Sequence, residues 1–216
     1  MKHNVYLFSG LGADERVFKH ITFPKSQICH IKWPKVTKET HRDSFLSEVA
    51  AQINTKKNNV FLGVSFGGLI AQDIAALLPV DKLILVSSVA EAAEIPCFYK
   101  SSFSSLLLRV TPSFLLNRPN PLISFMFSVK TNDGRRALHD IIQDTDPVFL
   151  RWAIAYLKQW IRPTSTKAKQ MYRIHGAKDR VFPKINQEAG VKVVSGGHFA
   201  IYESSSEING VLKSWL

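Results

Sequence analysis

Two apolar runs, 60–64 and 69–78, are separated by only four residues, Ser65-Phe66-Gly67-Gly68. The first run is short enough for a buried strand, and the second, Ala-rich and longer, reads as a buried helix. A chain that leaves a sheet and enters a helix within four residues must turn sharply. Glycines at 63 and 67 flank Ser65 because so tight a turn has no space for Cβ atoms. A strand feeding directly into a buried helix calls for a layered arrangement of helices on a sheet.

The remaining chain extends that pattern. Residues 5–8 form a β-rich run closed by Ser9-Gly10-Leu11-Gly12, and residues 13–20 follow with helical spacing. Residues 27–31 read as a short strand ended by Trp33-Pro34. Residues 44–53 place Phe45, Val49 and Ile53 on one helical face, with Asp43 as the N-cap. Residues 82–87 are continuously apolar after Lys82, as suits a parallel sheet covered on both faces. From 91 to 166 the pattern changes to helical, proline-punctuated and rich in Phe, Leu and Ser, which reads as an inserted helical cap following the strand that ends near Ser87. Residues 170–174 return to strand, 175–179 form a loop, 191–194 a strand, and 203–216 a closing helix. The expected organisation is an α/β core of residues 1–90 and 167–216 with a cap of residues 91–166.

A chain of 216 residues that is 45% hydrophobic has one sizeable core and little room for a second domain. No window approaches the roughly 20 apolar residues of a membrane span. The N-terminal MKHNVYLFSG lacks the long apolar core and cleavage site of a secretory signal, so a soluble, cytoplasmic protein is expected. Cys29 and Cys97 lie far apart without CxxC spacing, which argues against a disulfide framework or a structural zinc site and for small packing side chains. Nucleic-acid binding would need basic residues interleaved with exposed aromatics on a binding fold, and no such signature is present.

The segment Gly63-Val64-Ser65-Phe66-Gly67 fits G-x-S-x-G in the strand-turn-helix context that gives that motif chemical meaning. The turn holds the Ser65 hydroxyl above the sheet, and the Phe66 N–H at the helix start faces developing negative charge. A serine hydroxyl is a weak nucleophile until a base removes its proton. His198, on a loop after the last strand and two glycines, is the best candidate base. His3, His20, His30, His41 and His139 fall at strand ends, helix surfaces or polar loops, and His175 ends a strand. An imidazole in that role needs a carboxylate to fix its tautomer, and Asp179 is placed for it. Glu91 and Glu94, just after the 82–87 strand, compete for this place but rank behind Asp179. A second oxyanion donor is expected from the Leu11 N–H in the turn after the first strand.

Four segments, FSGLGADERVF, GVSFGG, HGAKDRVFP and SGGHF, occur in this order across nearly the whole chain and together resemble the α/β-hydrolase fold family. The resemblance implies a mostly parallel core of about six strands flanked by helices, esterase or thioesterase-like chemistry, and neither metal nor organic cofactor. Two departures stand out. Many members carry His-Gly where this chain has Ser9-Gly10, and the chain opens directly at the strand before that loop, so the two N-terminal strands of the full family sheet are expected to be missing.

An insertion after residue 87 would overhang Ser65. The apolar content of Phe98, Phe103, Leu106, Leu107, Phe114, Leu115, Phe125, Met126 and Phe127 then suggests a greasy, acyl-sized pocket, most of these side chains being cap core. Between Phe98 and Gln170 eleven Lys and Arg face four Asp, a net +7 of the chain's +11. Such a charge at a pocket mouth would attract an acidic carrier such as an acyl-carrier protein or coenzyme A, but a solvated basic surface is the stronger reading of a charge count that locates no patch. The expected function is a carboxylesterase acting through an acyl-enzyme, with a carrier-bound acyl methyl esterase, like the one that ends pimeloyl assembly in biotin synthesis, as the specific candidate. A thioesterase, and a same-fold lyase such as the menaquinone-pathway synthase or the hydroxynitrile lyases, stand as alternatives. A non-enzymatic binding module would have lost a triad position, and none is lost.

Overall fold

The structure is a computed structural model that describes residues 3–24, 26–101, 118, 120–186 and 190–216. Six strands form one sheet: β1 Asn4–Phe8, β2 Gln27–His30, β3 Asn59–Val64, β4 Val80–Val86, β5 Ala168–Gly176 and β6 Val191–Val194. Their order is β2-β1-β3-β4-β5-β6, and every neighbouring pair is parallel. The expected mostly parallel sheet is thus wholly parallel.

Parallel strands buried on both faces need apolar side chains on both. Val5 and Leu7 accordingly enter one core and Tyr6 and Phe8 the opposite one, while Ile84 and Leu85 divide in the same way on β4. On the Tyr6 face pack α1 (Arg42–Ala50) and α2 (Phe66–Leu77). On the Val5 face pack a 3-10 turn (Glu15–Phe18) and the closing helices, which are numbered below.

Between β4 and β5 the described residues contain α3 (Cys97–Lys100), α4 (Pro121–Met126), α5 (Asn132–Asp144) and α6 (Pro147–Gln159), and no strand. Their starts follow from capping chemistry: the Asn120, Thr131 and Asp146 side chains accept from the backbone N–H of Ile123, Gly134 and Val148, and Pro121 and Pro147 occupy N1. The two longer helices serve opposite cores. Leu138 and Ile141 of α5 join Val5 and Leu7, whereas Phe149, Tyr156 and Leu157 of α6 join Phe45 and Phe66. Phe103, Leu106, Leu107, Phe114 and Leu115 lie outside the described residues.

Some local expectations are corrected. Residues 13–20 give only the 3-10 turn, because the Asp14 carboxylate captures both the N–H and the guanidinium of Arg16 and competes with helix propagation. Helix α1 begins at Arg42 with His41 as its cap residue, so Asp43 sits in the first turn rather than at the N-cap. The closing helix is two, α7 (Ala200–Glu203) and α8 (Ser205–Trp215), broken where the Ser204 hydroxyl turns to the Ser195 carbonyl. Cys29 packs half-buried against the core, but Cys97 is exposed. Among the described residues no helix is long and apolar enough to cross a membrane, and no group of three His, Cys, Asp or Glu is placed to hold a metal.

In this strand order the chain runs from β1 outward to β2 and returns on the other side of β1 as β3. The loops after β1 and β3 therefore diverge, and a crevice opens at the carboxyl ends of these two strands.

Candidate active site

Ser65 ends β3 and opens α2 with φ 51° and ψ −120°, a left-handed conformation costing about 1–3 kcal/mol in a non-glycine residue. Three hydrogen bonds hold it there: Ser65 N–H to the Val86 carbonyl (3.0 Å), Gly68 N–H to the Ser65 carbonyl (2.9 Å), and the Ser88 hydroxyl to the same carbonyl (2.7 Å). The flanking glycines are required by close approach. A Cβ at Gly63 would lie 2.6 Å from the Gly67 oxygen, and one at Gly67 would collide with the Ser9 and Phe8 carbonyls.

His198 and Asp179 come from loops tied to each other. Ala177 N–H donates to the Val194 carbonyl (2.9 Å) and Lys178 N–H to the Gly196 carbonyl (2.7 Å), so the loop after β5 and the loop after β6 are laced side by side. Across this seam His198 Nδ1 lies 2.8 Å from Asp179 Oδ2, and His198 Nε2 lies 2.8 Å from Ser65 Oγ. Both side chains are buried, at 3% and 1% exposure. A carboxylate can only accept, so Nδ1 carries the proton and Nε2 is left to accept from the Ser65 hydroxyl. The rings of Phe127 and Phe182 stand edge-on to His198, with centroids 5.0 and 5.4 Å away, and exclude water from its faces.

Asp179 is held ionised. Burial raises its pKa, but the electrostatic pull and hydrogen bond of His198, the Phe182 N–H and, last, the neighbouring His175 outweigh that and bring it below the ordinary carboxylate value. Its other oxygen, Oδ1, accepts from the N–H groups of Val181 and Phe182, both at 2.8 Å. Of the competing carboxylates, Glu91 pairs with Arg162. Glu94 is sealed in a bidentate pair with Arg173 (2.8 and 2.9 Å) and also accepts from Ala90 and Asn186 N–H. Neither is directed at His198.

The turn after β1 is pinned by the Ser9 hydroxyl, which donates to the Ala13 carbonyl (2.6 Å), and by Ala13 N–H to the Gly10 carbonyl (3.1 Å). A Cβ at Gly10 would lie 3.7 Å from Ser65 Cβ, so this turn abuts the serine, and Gly10, Leu11 and Phe66 all border the space above it. Serine in place of the common histidine is thus a brace for the loop.

Two features escaped the sequence reading. His175 is buried, its Nε2 lies 2.9 Å from the Phe182 carbonyl and 3.4 Å from Asp179 Oδ2, and its Nδ1 has no partner. A carbonyl only accepts, so Nε2 bears the proton, and burial holds this imidazole neutral by lowering its pKa against the pull of Asp179. Its i, i+4 spacing from Asp179 was the available signal. Second, Asp73 of α2 is buried and receives Arg42 of α1 (2.7 Å) together with the Tyr156 hydroxyl of α6 and the Trp160 indole (3.2 Å). Burial raises the Asp73 pKa, partly offset by Tyr156 and Arg42. No local spacing marks this cluster.

Above Ser65 lies a cavity of about 420 Å³ walled by α4, α5, α6 and the loops after β1 and β5. Met126 and Phe127 line it, whereas Phe98 and Phe125 are 56% and 57% exposed. Several cations expected at its mouth are engaged elsewhere: Lys100 and Lys158 on the Ala92 and Ser101 carbonyls, Arg162 on Glu91, and Lys169 on Asp81.

No family model and no curated protein sequence matches this chain. Solved structures do. A carboxylesterase of the thaumarchaeon Nitrososphaera gargenis is 14% identical with a TM-score of 0.68, over 99% of this chain and 89% of its own. An esterase from Exiguobacterium antarcticum is 16% identical with a TM-score of 0.66, over 99% and 91%. MenH from S. aureus is 14% identical with a TM-score of 0.68, over 100% and 93%. The chain has the α/β-hydrolase fold.

Proposed function

We propose that this chain is a serine hydrolase that cleaves a carboxylic ester through an acyl-enzyme. The observation that carries the reading is the continuous hydrogen-bonded line from Ser65 Oγ through His198 to the ionised Asp179, in a water-poor setting at the base of an apolar cavity. Ser65 Oγ attacks the ester carbonyl as its proton passes to His198 Nε2, and Asp179 stabilises the resulting imidazolium. Negative charge gathers on the carbonyl oxygen. Phe66 is the first residue of α2, where the N–H has no intrahelical partner, and its N–H and that of Leu11 are assigned to that oxygen. Collapse breaks the bond to the alcohol, which leaves with the His198 proton. A water then gives its proton to His198 and attacks the acyl carbon, and His198 returns the proton to Ser65 Oγ as the acid leaves.

The carboxylesterase and esterase among the structural neighbours support this reaction class. Thioester cleavage uses the same steps. A carrier-bound acyl methyl ester is the finer form of the proposal, supported by Lys130, Arg135 and Arg136, which are exposed on and before α5. A lyase would use the same three residues for proton transfer without a covalent intermediate.

Steady-state hydrolysis of p-nitrophenyl esters tests the reading, with Ser65→Ala, His198→Ala and Asp179→Asn beside the wild type. Each substitution is expected to lower kcat by about 10⁴-fold or more. A fluorophosphonate is expected to label the wild type at Ser65. Ester turnover that survives in Ser65→Ala would overturn the proposal, and turnover confined to a carbon–carbon cleavage would favour the lyase.

A further inference from the structure

The cavity above Ser65 is walled from both cores of the protein. Val17, Leu138 and Ile141 approach from the face of the closing helices, and Phe66, Leu157 and Phe182 from the face of α1 and α2. Ser65 stands at the base between these walls.

The lining is uniform in its chemistry. Among the described residues that border the cavity, only Ser65, Tyr99, Thr145 and His198 carry a polar side chain other than a thioether, and there is no Lys, Arg, Asp or Glu. Ser65 and His198 hold each other. The Thr145 hydroxyl, just past the end of α5, donates to the Ile141 carbonyl of that helix (2.8 Å). Tyr99 is kept as the neutral phenol, because burial and the negative charge of Asp179 both raise its pKa. A carboxylate, phosphate or ammonium entering this space would leave water and meet no counter-charge among the described lining residues, a large uncompensated cost. A hydrocarbon chain would gain free energy with each methylene brought in.

Size narrows the substrate further. An apolar cavity of about 150 Å³ is enough to take up benzene, with its six carbons. The space above Ser65, about 420 Å³, is nearly three times larger. Resting on the ester-hydrolase reading, we infer that the acyl group transferred to Ser65 is a hydrocarbon chain of about eight carbons or more that bears no charge within the cavity. This excludes half-esters of dicarboxylic acids that would bury their free carboxylate, and short acyl groups that would leave the walls unfilled.

The test compares kcat/KM for p-nitrophenyl acetate, butyrate, hexanoate and octanoate with that for the mono-p-nitrophenyl ester of suberic acid, which matches octanoate in length but ends in a carboxylate. From butyrate to octanoate the expected rise is about fourfold per methylene, with the suberate at least about a hundredfold below octanoate. Ile142→Lys, at a half-buried wall position, should narrow the octanoate-to-suberate ratio by placing a cation in reach. A profile that is flat or falls beyond butyrate, or a suberate rate equal to that of octanoate, would overturn the inference.

A second readout needs no turnover. Thermal unfolding of the wild type with 1-octanol should show a larger rise in Tm than with 1-butanol or 1,8-octanediol at equal concentration, and equal shifts would overturn the inference. If octanol alone stabilises while no ester is cleaved, the reaction class fails and the preference for hydrocarbon stands. If esters are cleaved without preference for length or terminus, the reaction class stands and this inference fails.

Discussion

At the scale of single residues, the proposed nucleophile and the backbone strain coincide at position 65. Its left-handed backbone suits glycine, so Ser65→Gly should raise stability by about 1 kcal/mol, net of glycine's larger entropy loss, while abolishing turnover. Urea unfolding of the two proteins checks the sign; a less stable glycine variant would mean that the bonds from Ser88 and to Val86 depend on the serine side chain. His175 offers a pH signature. Its folded pKa is lowered, so the unfolded chain takes up a proton that the fold refuses, and stability present above about pH 6.5 is lost as pH falls below it. Asp179 is also lowered, but from a carboxylate value, so its contribution is intact above about pH 5 and is lost only as pH falls below about 4. Between pH 7.5 and 5 the wild type should therefore lose more unfolding free energy than His175→Gln does. Equal losses would show that His175 does not carry the difference.

At the scale of elements, buried ions stitch loops and helices that sequence neighbours do not connect. The Glu94–Arg173 pair, at 4% and 6% exposure, joins the loop after β4 to β5 and, through Asn186, to the segment that follows Asp179. Arg173→Met strands a buried carboxylate and should cost about 3–5 kcal/mol, whereas Arg173→Met with Glu94→Leu should recover most of it, measured by urea denaturation. Tyr156→Phe removes one donor from Asp73 and should cost about 1–3 kcal/mol, loosening α6 from α2. These networks were invisible in the sequence because partners such as Arg173 and Glu94 lie 79 residues apart and no local periodicity records them. The strands were legible for the opposite reason: burial on both faces demands unbroken apolar runs such as those of β3 and β4. Ser65, Asp179 and His198 were legible because turn glycines and chain order mark them. Element ends were less so, since one side-chain bond settles them, as at Asp14 and Ser204.

At the scale of the whole molecule, α6, in the segment between β4 and β5, is part of the core rather than an ornament on it. Phe149, Tyr156, Leu157 and Trp160 complete the cluster around Phe45 and Phe66. Replacing residues 91–166 by a short linker should therefore yield a chain that lacks a cooperative urea transition, while the intact protein unfolds in one. A linker variant that unfolds cooperatively would instead show that the sheet and its own helices suffice. The order of the sheet has one more consequence. The four adjacent strands β2-β1-β3-β4 and the turn carrying Ser65 all lie in the first 86 residues, but Asp179 and His198 arrive on the last two strands' loops. The scaffold of the proposed nucleophile is thus translated before Asp179 and His198, the groups proposed to activate it. Until those two loops have been made, Ser65 has neither partner of its hydrogen-bonded line.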